Sequence, residues 1–248
     1  MRFTSTQFLT LAILLGAGRV GSSRASAETV SVSVQATSNI FASGLADTNA
    51  VGGGDLPVKI LLPSGTGRTV SFLSVTGGVS PDPPGLLFPG PFFGGDGIPN
   101  PTKSPNLDPA GLVSGIRADS GFFLAGVLEG SSTVAVPPTL NFSGHQSFSS
   151  LSPLLQQTFF IGDGLTGTGS GNLQIFNVPD GATALYLGFP DGGFFQGKPG
   201  AYSDNRGQLD VSMSFSVNPI PEPSSFVMLC MALVGLSGIY TRRRSRAL

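Results

Sequence analysis

Residues 209–217 read LDVSMSFSV. Leu209, Val211, Met213, Phe215 and Val217 alternate with Asp210, Ser212, Ser214 and Ser216. A period of two sends successive side chains to opposite faces, so this stretch predicts a β-strand with one face buried. Thr29–Gln35, TVSVSVQ, carries the same pattern. Looser versions run through Val58–Leu62, Val70–Val75, Phe122–Leu128, Asn172–Val178 and Ala184–Phe189. Clusters of Gly, Pro, Asn and Asp divide them, among them Asp163-Gly164 and Pro179-Asp180-Gly181, and these read as turns. Away from the two ends, only Leu151–Gln157 has any helical character. Seven or more short strands with such turns predict an all-β domain over residues 28–218, a β-sandwich or jelly roll.

Two regions interrupt the alternation. Ser80–Pro109 is too rich in glycine and proline to form a ladder, so it reads as a long loop projecting from the strands. Its Phe88, Phe92 and Phe93 are read first as pins that hold the loop to the domain, and second as binding aromatics. Ser131–Ser152 is a milder insertion.

The ends of the 248-residue chain differ from the middle. Met1–Ala27 has a basic Arg2, an apolar core from Phe8 to Leu15, and the triplet Ala25-Ser26-Ala27. That is the pattern of a secretory signal cut after small residues at Ala25 and Ala27. A retained anchor is the alternative, but the apolar core is too short to span a bilayer. At the other end, Pro219, Pro221 and Pro223 precede an apolar run from Phe226 to Tyr240. Arg242, Arg243, Arg244 and Arg246 follow at once. Ser224–Thr241 as a helix is roughly 27 Å long, near the lower limit for crossing a bilayer. The arginines favour a cytoplasmic C-terminus, and the prolines fix where the span begins. The run lacks the polar face that a buried core helix would show.

The order Pro221-Glu222-Pro223, short span, terminal arginines resembles the PEP-CTERM sorting signal of exported proteins of Gram-negative bacteria. The resemblance implies that residues 219–248 hold the chain in the inner membrane until an exosortase recognises the Pro-Glu-Pro motif and removes the tail. The processed protein would then reach the cell surface or the exterior. The same resemblance implies an association with exopolysaccharide and biofilm matrix.

Between the ends, Lys59, Arg68, Lys103, Arg117, Lys198 and Arg206 are the basic residues, against 13 acids. An acidic surface argues against nucleic acid as a partner. Cys230, the single cysteine, falls in the apolar span, so the exported part holds no disulfide and any staple must be something else, such as a metal ion. Several motifs imitate chemistry without its context. Gly162 to Gly167 matches G-x-G-x-x-G, but more glycine and a strand follow where a helix must open. Gly192 to Lys198 begins like a phosphate loop, but Pro199 stands where Ser or Thr must hold magnesium. His145, the lone histidine, has no thiol in the domain to activate and reads as surface. Asp pairs could cleave glycosides, but no spacing singles out a pair.

The stretch 189–215 offers more. Asp191, Asp204 and Asn205 supply hard oxygens, and tight glycine turns can bring carbonyls inward. Calcium takes about six to eight such ligands. Hairpin turn chemistry accounts for the same residues equally well. Residues 159–192 followed by PGAYSDNRGQLDVSMSF resemble the C-terminal half of small calcium-dependent galactose-binding bacterial lectins. The resemblance implies a galactose-binding-like β-sandwich. It also implies a calcium ion held by Asp191, Asp204, Asn205, the carbonyl of Ala201 and, through the early stretch SVTGGVSP, the carbonyl of Val79. Asp204 replaces an asparagine of the motif, six extra residues separate Asp191 from Pro199, and the family's sugar-holding histidine and glutamine have no counterpart. The expectation is an exported, non-enzymatic, calcium-stabilised surface or matrix protein with a carbohydrate-binding-like domain. The alternatives are a purely structural envelope protein and, less favoured, an Asp-dependent glycoside hydrolase.

Overall fold

The computed structural model describes residues 27–81, 92–99, 106–131 and 135–218. The expected signal segment up to residue 26, the sorting tail 219–248 and Phe88 lie outside these residues. Strands dominate, with short 3-10 turns and no α-helix among the described residues, so the all-β expectation holds. No described helix is long and apolar enough to cross a membrane.

Nine strands build the two main sheets: β1 (Ala27–Gln35), β2 (Val58–Leu61), β3 (Thr66–Ser80), β4 (Ala125–Gly130), β5 (Ser150–Leu151), β6 (Thr158–Phe160), β7 (Ile175–Asn177), β8 (Ala182–Gly188) and β9 (Arg206–Asn218). One sheet runs β1-β9-β3-β7-β5 and the other β6-β4-β8-β2. All neighbours are antiparallel except β7 and β5.

The strand that contains LDVSMSFSV is the centre of the first sheet's longest ladder. β1 pairs with it from Ala27↔Ser216 to Gln35↔Gln208, and β3 pairs with its other edge. Leu209, Val211, Met213 and Phe215 are each no more than 2 % exposed, while Asp210 and Ser216 face outward. A register shift between Ser212 and Met213 bulges β3 and turns Leu73 outward, 44 % exposed.

The two sheets share one apolar core. Phe176 of β7 touches Phe72 of the same sheet and Phe159 of the other, each with ring centroids 5.4 Å apart. Phe148 meets the same ring edge-on at 5.7 Å. Such offset and edge-on pairs add about 0.5–1.5 kcal/mol each beyond area burial.

Several strand bounds differ from the alternation. Phe122 takes a left-handed conformation (φ 53), so β4 starts only at Ala125. The Asn172–Val178 run divides at Gln174, whose amide donates to the carbonyls of Gln146 and Phe148. Its first part forms a hairpin, Leu165–Gly167 with Ser170–Leu173, around the glycine-rich turn. Leu151–Gln157 is not helical: Leu151 ends β5, and Gln156 sits at φ 61. The described parts of Ser80–Pro109 are stitched to the body. Phe93 exchanges both backbone hydrogen bonds with Val79, Ile98–Pro99 pairs with Ser120–Gly121, and Asn106–Leu107 pairs with Ile116–Arg117.

Candidate metal centre

Asp191 lies three residues past the end of β8, and Asp204–Asn205 lead straight into β9. The loop between them closes on itself: Gly192 bridges Pro199, and Gly200 donates its amide to the Asp191 carbonyl at 3.1 Å. The six extra residues therefore leave and return at one point, and their tip, Phe194, is 87 % exposed. Ala201 takes a left-handed conformation (φ 67), and a 3-10 turn, Tyr202–Asp204, delivers the next two side chains.

Tyr202 anchors this turn from within. Its hydroxyl donates to the Phe189 carbonyl at 3.0 Å and accepts the Asp191 amide at 3.1 Å. Burial pushes the phenol well above its ordinary range, so it stays protonated. The early chain packs against the ring. Gly54 has φ +82, and a Cβ there would lie 2.6 Å from the Thr37 carbonyl and 2.7 Å from Tyr202 Cβ, so the approach needs glycine.

Asp191 is 2 % exposed. Its Oδ1 accepts the Gly192 amide at 2.7 Å and its Oδ2 accepts Asn205 Nδ2–H at 2.8 Å. Burial nonetheless pushes its carboxyl up to about 7; those two hydrogen bonds oppose the shift, and the charge of Asp204 adds to it. Asn205 Nδ2 also donates to the Ala36 carbonyl at 3.2 Å. Two acceptors on the nitrogen fix the amide orientation and leave Oδ1 as the free acceptor.

Asp204 Oδ1 and Asn205 Oδ1 are buried with no hydrogen-bond partner. Buried polar atoms are ordinarily satisfied, and an unmet one costs about 1–3 kcal/mol. Orphaned oxygens beside a buried carboxylate that resists ionisation fit a hard cation, which accepts lone pairs where an N–H donor is missing. Among the described residues no three His, Cys, Asp or Glu side chains gather as a metal-holding group. This set uses two carboxylates, and an amide oxygen and backbone carbonyls would complete it, as calcium chemistry permits.

The structure thus brings Asp191, Asp204 and Asn205 together and sets Ala201 at the head of the same turn. Val79 stands differently. It pairs with Gly207 in β9, and its carbonyl accepts the Phe93 amide at 2.8 Å. The early-chain carbonyl that meets the cluster is that of Ala36, which has no sequence signal beyond the end of a strand. Ala27 opens β1 opposite Ser216; Ala25, Pro221, Glu222, Pro223, Arg242, Arg243 and Arg244 lie outside the described residues.

A separate cleft of about 190 Å³ is lined by Asp96, Asp119, Ser120, Gln146, Phe160 and Thr166 among others. Its carboxylates cap turns: Asp96 accepts the Asp163 amide and Asp119 the Gly144 amide. His145 is exposed in such a turn.

Beyond β9 the chain runs into the proline knot, the apolar run and the arginines. Residues 219–244 match the PEP-CTERM protein-sorting motif. This motif marks an exported protein sorted by exosortase, held in the membrane and then processed for the cell surface. The match covers the tail and leaves the strand-rich domain unassigned. No curated protein and no solved structure matches the chain.

Proposed function

We propose that the exported domain is a non-enzymatic, calcium-stabilised β-sandwich that binds carbohydrate at the cell surface or in the extracellular matrix. In this reading Met1–Ala27 directs export, and Ser224–Thr241 spans the inner membrane until exosortase acts at Pro221-Glu222-Pro223. The observation that supports it is the pair of buried, unpartnered oxygens on Asp204 and Asn205 beside the buried Asp191 carboxylate. Calcium bridging Asp191, Asp204, Asn205 and the Ala201 carbonyl gives these oxygens a partner and ties the β8 end to the β9 start. A domain without disulfides gains a staple from that bond. Open coordination positions on such an ion accept vicinal sugar hydroxyls, which are hard oxygen ligands of the same kind.

Binding of the full-length chain to a glycan array, in calcium and in chelator, tests this. The expected result is retention on surface polysaccharides that needs calcium. Retention that ignores chelator contradicts the reading. Calcium-dependent folding with no glycan retained assigns the chain instead to purely structural envelope proteins.

A further inference from the structure

The cleft that holds Asp96, Asp119 and Ser120 gathers its lining from separate stretches of chain, none of them in the Asp191 corner. Ser147 and Thr168 are exposed at its rim, while Ser120 and Phe160 are buried, so the lining descends from solvent into the domain. Its volume of about 190 Å³ is below the roughly 300 Å³ at which pockets for drug-sized molecules begin, so it suits one small ring.

Hydrogen bonds fix its walls. Ile98–Pro99 pairs with Ser120–Gly121, and Asp96 and Asp119 precede the two strands, so they stand at opposite ends of this antiparallel ladder. Each spends an oxygen on a backbone amide: Asp96 accepts that of Asp163 at 2.9 Å, and Asp119 that of Gly144. Gln146 donates Nε2–H to Ser120 Oγ at 2.7 Å. Gly162 has φ +64, and a Cβ there would run into Asp96 Oδ1 and the Phe160 ring, so the carboxylate and the ring close on bare backbone. Burial raises the Asp96 carboxyl above its ordinary value, against the pull of the Asp163 amide. A perturbed carboxyl among convergent polar groups in a cleft is a mark of a binding site.

The lining sets the class of ligand. An ionised carboxylate only accepts hydrogen bonds, whereas hydroxyls and an amide both donate and accept. Two carboxylates, four Ser or Thr hydroxyls and the Gln146 amide line the cleft beside apolar surface from Pro99, Phe160 and Leu165. No lining residue is Lys, Arg or His, so nothing there offsets the charge of an anion. The carboxylates at opposite ends of the ladder make no cage for a metal ion. A neutral sugar ring meets these terms: it brings several hydroxyl donors, carries no charge and has apolar C–H faces. We propose that this cleft is a carbohydrate site separate from the Asp191 corner, and that it takes one neutral hexose ring without calcium, with Asp96 and Asp119 accepting hydrogen bonds from its hydroxyls. Hydrogen bonds to one ring give about millimolar binding, too brief to survive the washing of an array, so retention there still depends on the calcium site.

Saturation-transfer NMR of the full-length chain, in detergent and chelator, tests it with D-glucose, D-galactose, D-mannose, the uronate of each, and glycerol as probes. At least one hexose is expected to bind, with its uronate and glycerol at least about tenfold weaker. Asp119→Ala should weaken that hexose about tenfold, the worth of one hydrogen bond to a charged group. Asp204→Ala, in the proposed metal corner, should leave it unchanged. Should Asp119→Ala fail to fold, Gln146→Ala, at a half-buried side chain, must still weaken binding several-fold. Binding by none of the three hexoses overturns the proposal, and so does hexose binding unchanged in either folded variant. A uronate or glycerol that binds as tightly as the hexose also overturns it, because the cleft then does not select a neutral ring. Hexose binding lost in Asp204→Ala overturns it as well, because the sugar then sits at the metal corner. Chelator is present throughout, so a chain indifferent to calcium leaves this result standing, and a chain that binds no hexose here leaves the calcium reading standing.

Discussion

Asn205 donates Nδ2–H to Asp191 Oδ2 at 2.8 Å across 14 residues of chain. The bond ties the end of β8 to the start of β9, and it settles which way the amide points. The nitrogen is spent on Asp191 and on the Ala36 carbonyl, so the oxygen is left without a donor. An amide oxygen, a buried carboxylate and a second carboxylate with an orphaned oxygen then occupy one corner of the domain.

Asp191 makes that corner sensitive to pH when no cation is bound. Burial holds its carboxyl up to about 7, above the 3.8 of an unperturbed group. A raised carboxyl pKa contributes stability that is fully present below about pH 4 and is lost as pH rises through about 7. Between pH 5 and pH 8 in chelator, the wild-type chain should lose roughly 2–3 kcal/mol relative to Asp191→Asn, whose buried side chain cannot ionise. Thermal unfolding followed by circular dichroism at the two pH values measures this. A difference of the opposite sign refutes the placement of a buried, cation-free carboxyl.

The proposed metal ligands can be separated from turn residues by a pair of variants. Asp204→Ala should abolish the calcium-dependent rise in melting temperature. Asp163→Ala should keep it, although the variant loses a turn cap worth about 1 kcal/mol: Asp163 accepts the amides of Leu165 and Gly169 and lies in a different loop. Melting curves with and without calcium for both variants decide the point.

The core makes its own prediction. Phe176 is fully buried and touches rings from both sheets. Phe176→Ala should cost about 3–5 kcal/mol in denaturant unfolding, whereas Phe194→Ala, at a loop tip 87 % exposed, should change stability by no more than about 0.5 kcal/mol. A large effect at Phe194 would mean that the loop tip is covered in the folded chain.

Sorting is tested at the tail. Replacing Pro221-Glu222-Pro223 with alanines should leave the full-length chain uncleaved in the inner membrane. Fractionation that finds a tail-less form outside the cell contradicts processing at the PEP-CTERM motif.

The period of two made the long strands legible. Leu209, Val211, Met213 and Phe215 point inward in β9, as their spacing demands, and Thr29–Gln35 lies within β1. Short strands such as Thr158–Phe160 escaped notice because all three of their side chains are buried, so no alternation marks them. Phe122 and Gln156 escaped because left-handed backbone at a non-glycine residue leaves no compositional trace. The oxygens of Asp191, Asp204 and Asn205 could be read as a group from the loop that bears them. The Ala36 carbonyl could not, since any residue supplies one, and neither could the approach of Arg206 to the Phe92 ring, where two glycines leave room for that ring.

The most direct measurement is the heat of calcium binding to the full-length chain, paired with its melting temperature. One site on Asp191, Asp204 and Asn205 predicts binding of a single ion and a stabilisation of roughly 2.7 kcal/mol at a hundred times the dissociation constant. Chelator should reverse it, and magnesium should substitute poorly, because it demands a tighter octahedron. No heat of binding and an unchanged melting temperature would contradict the account and leave the Asp191–Asn205 corner a turn.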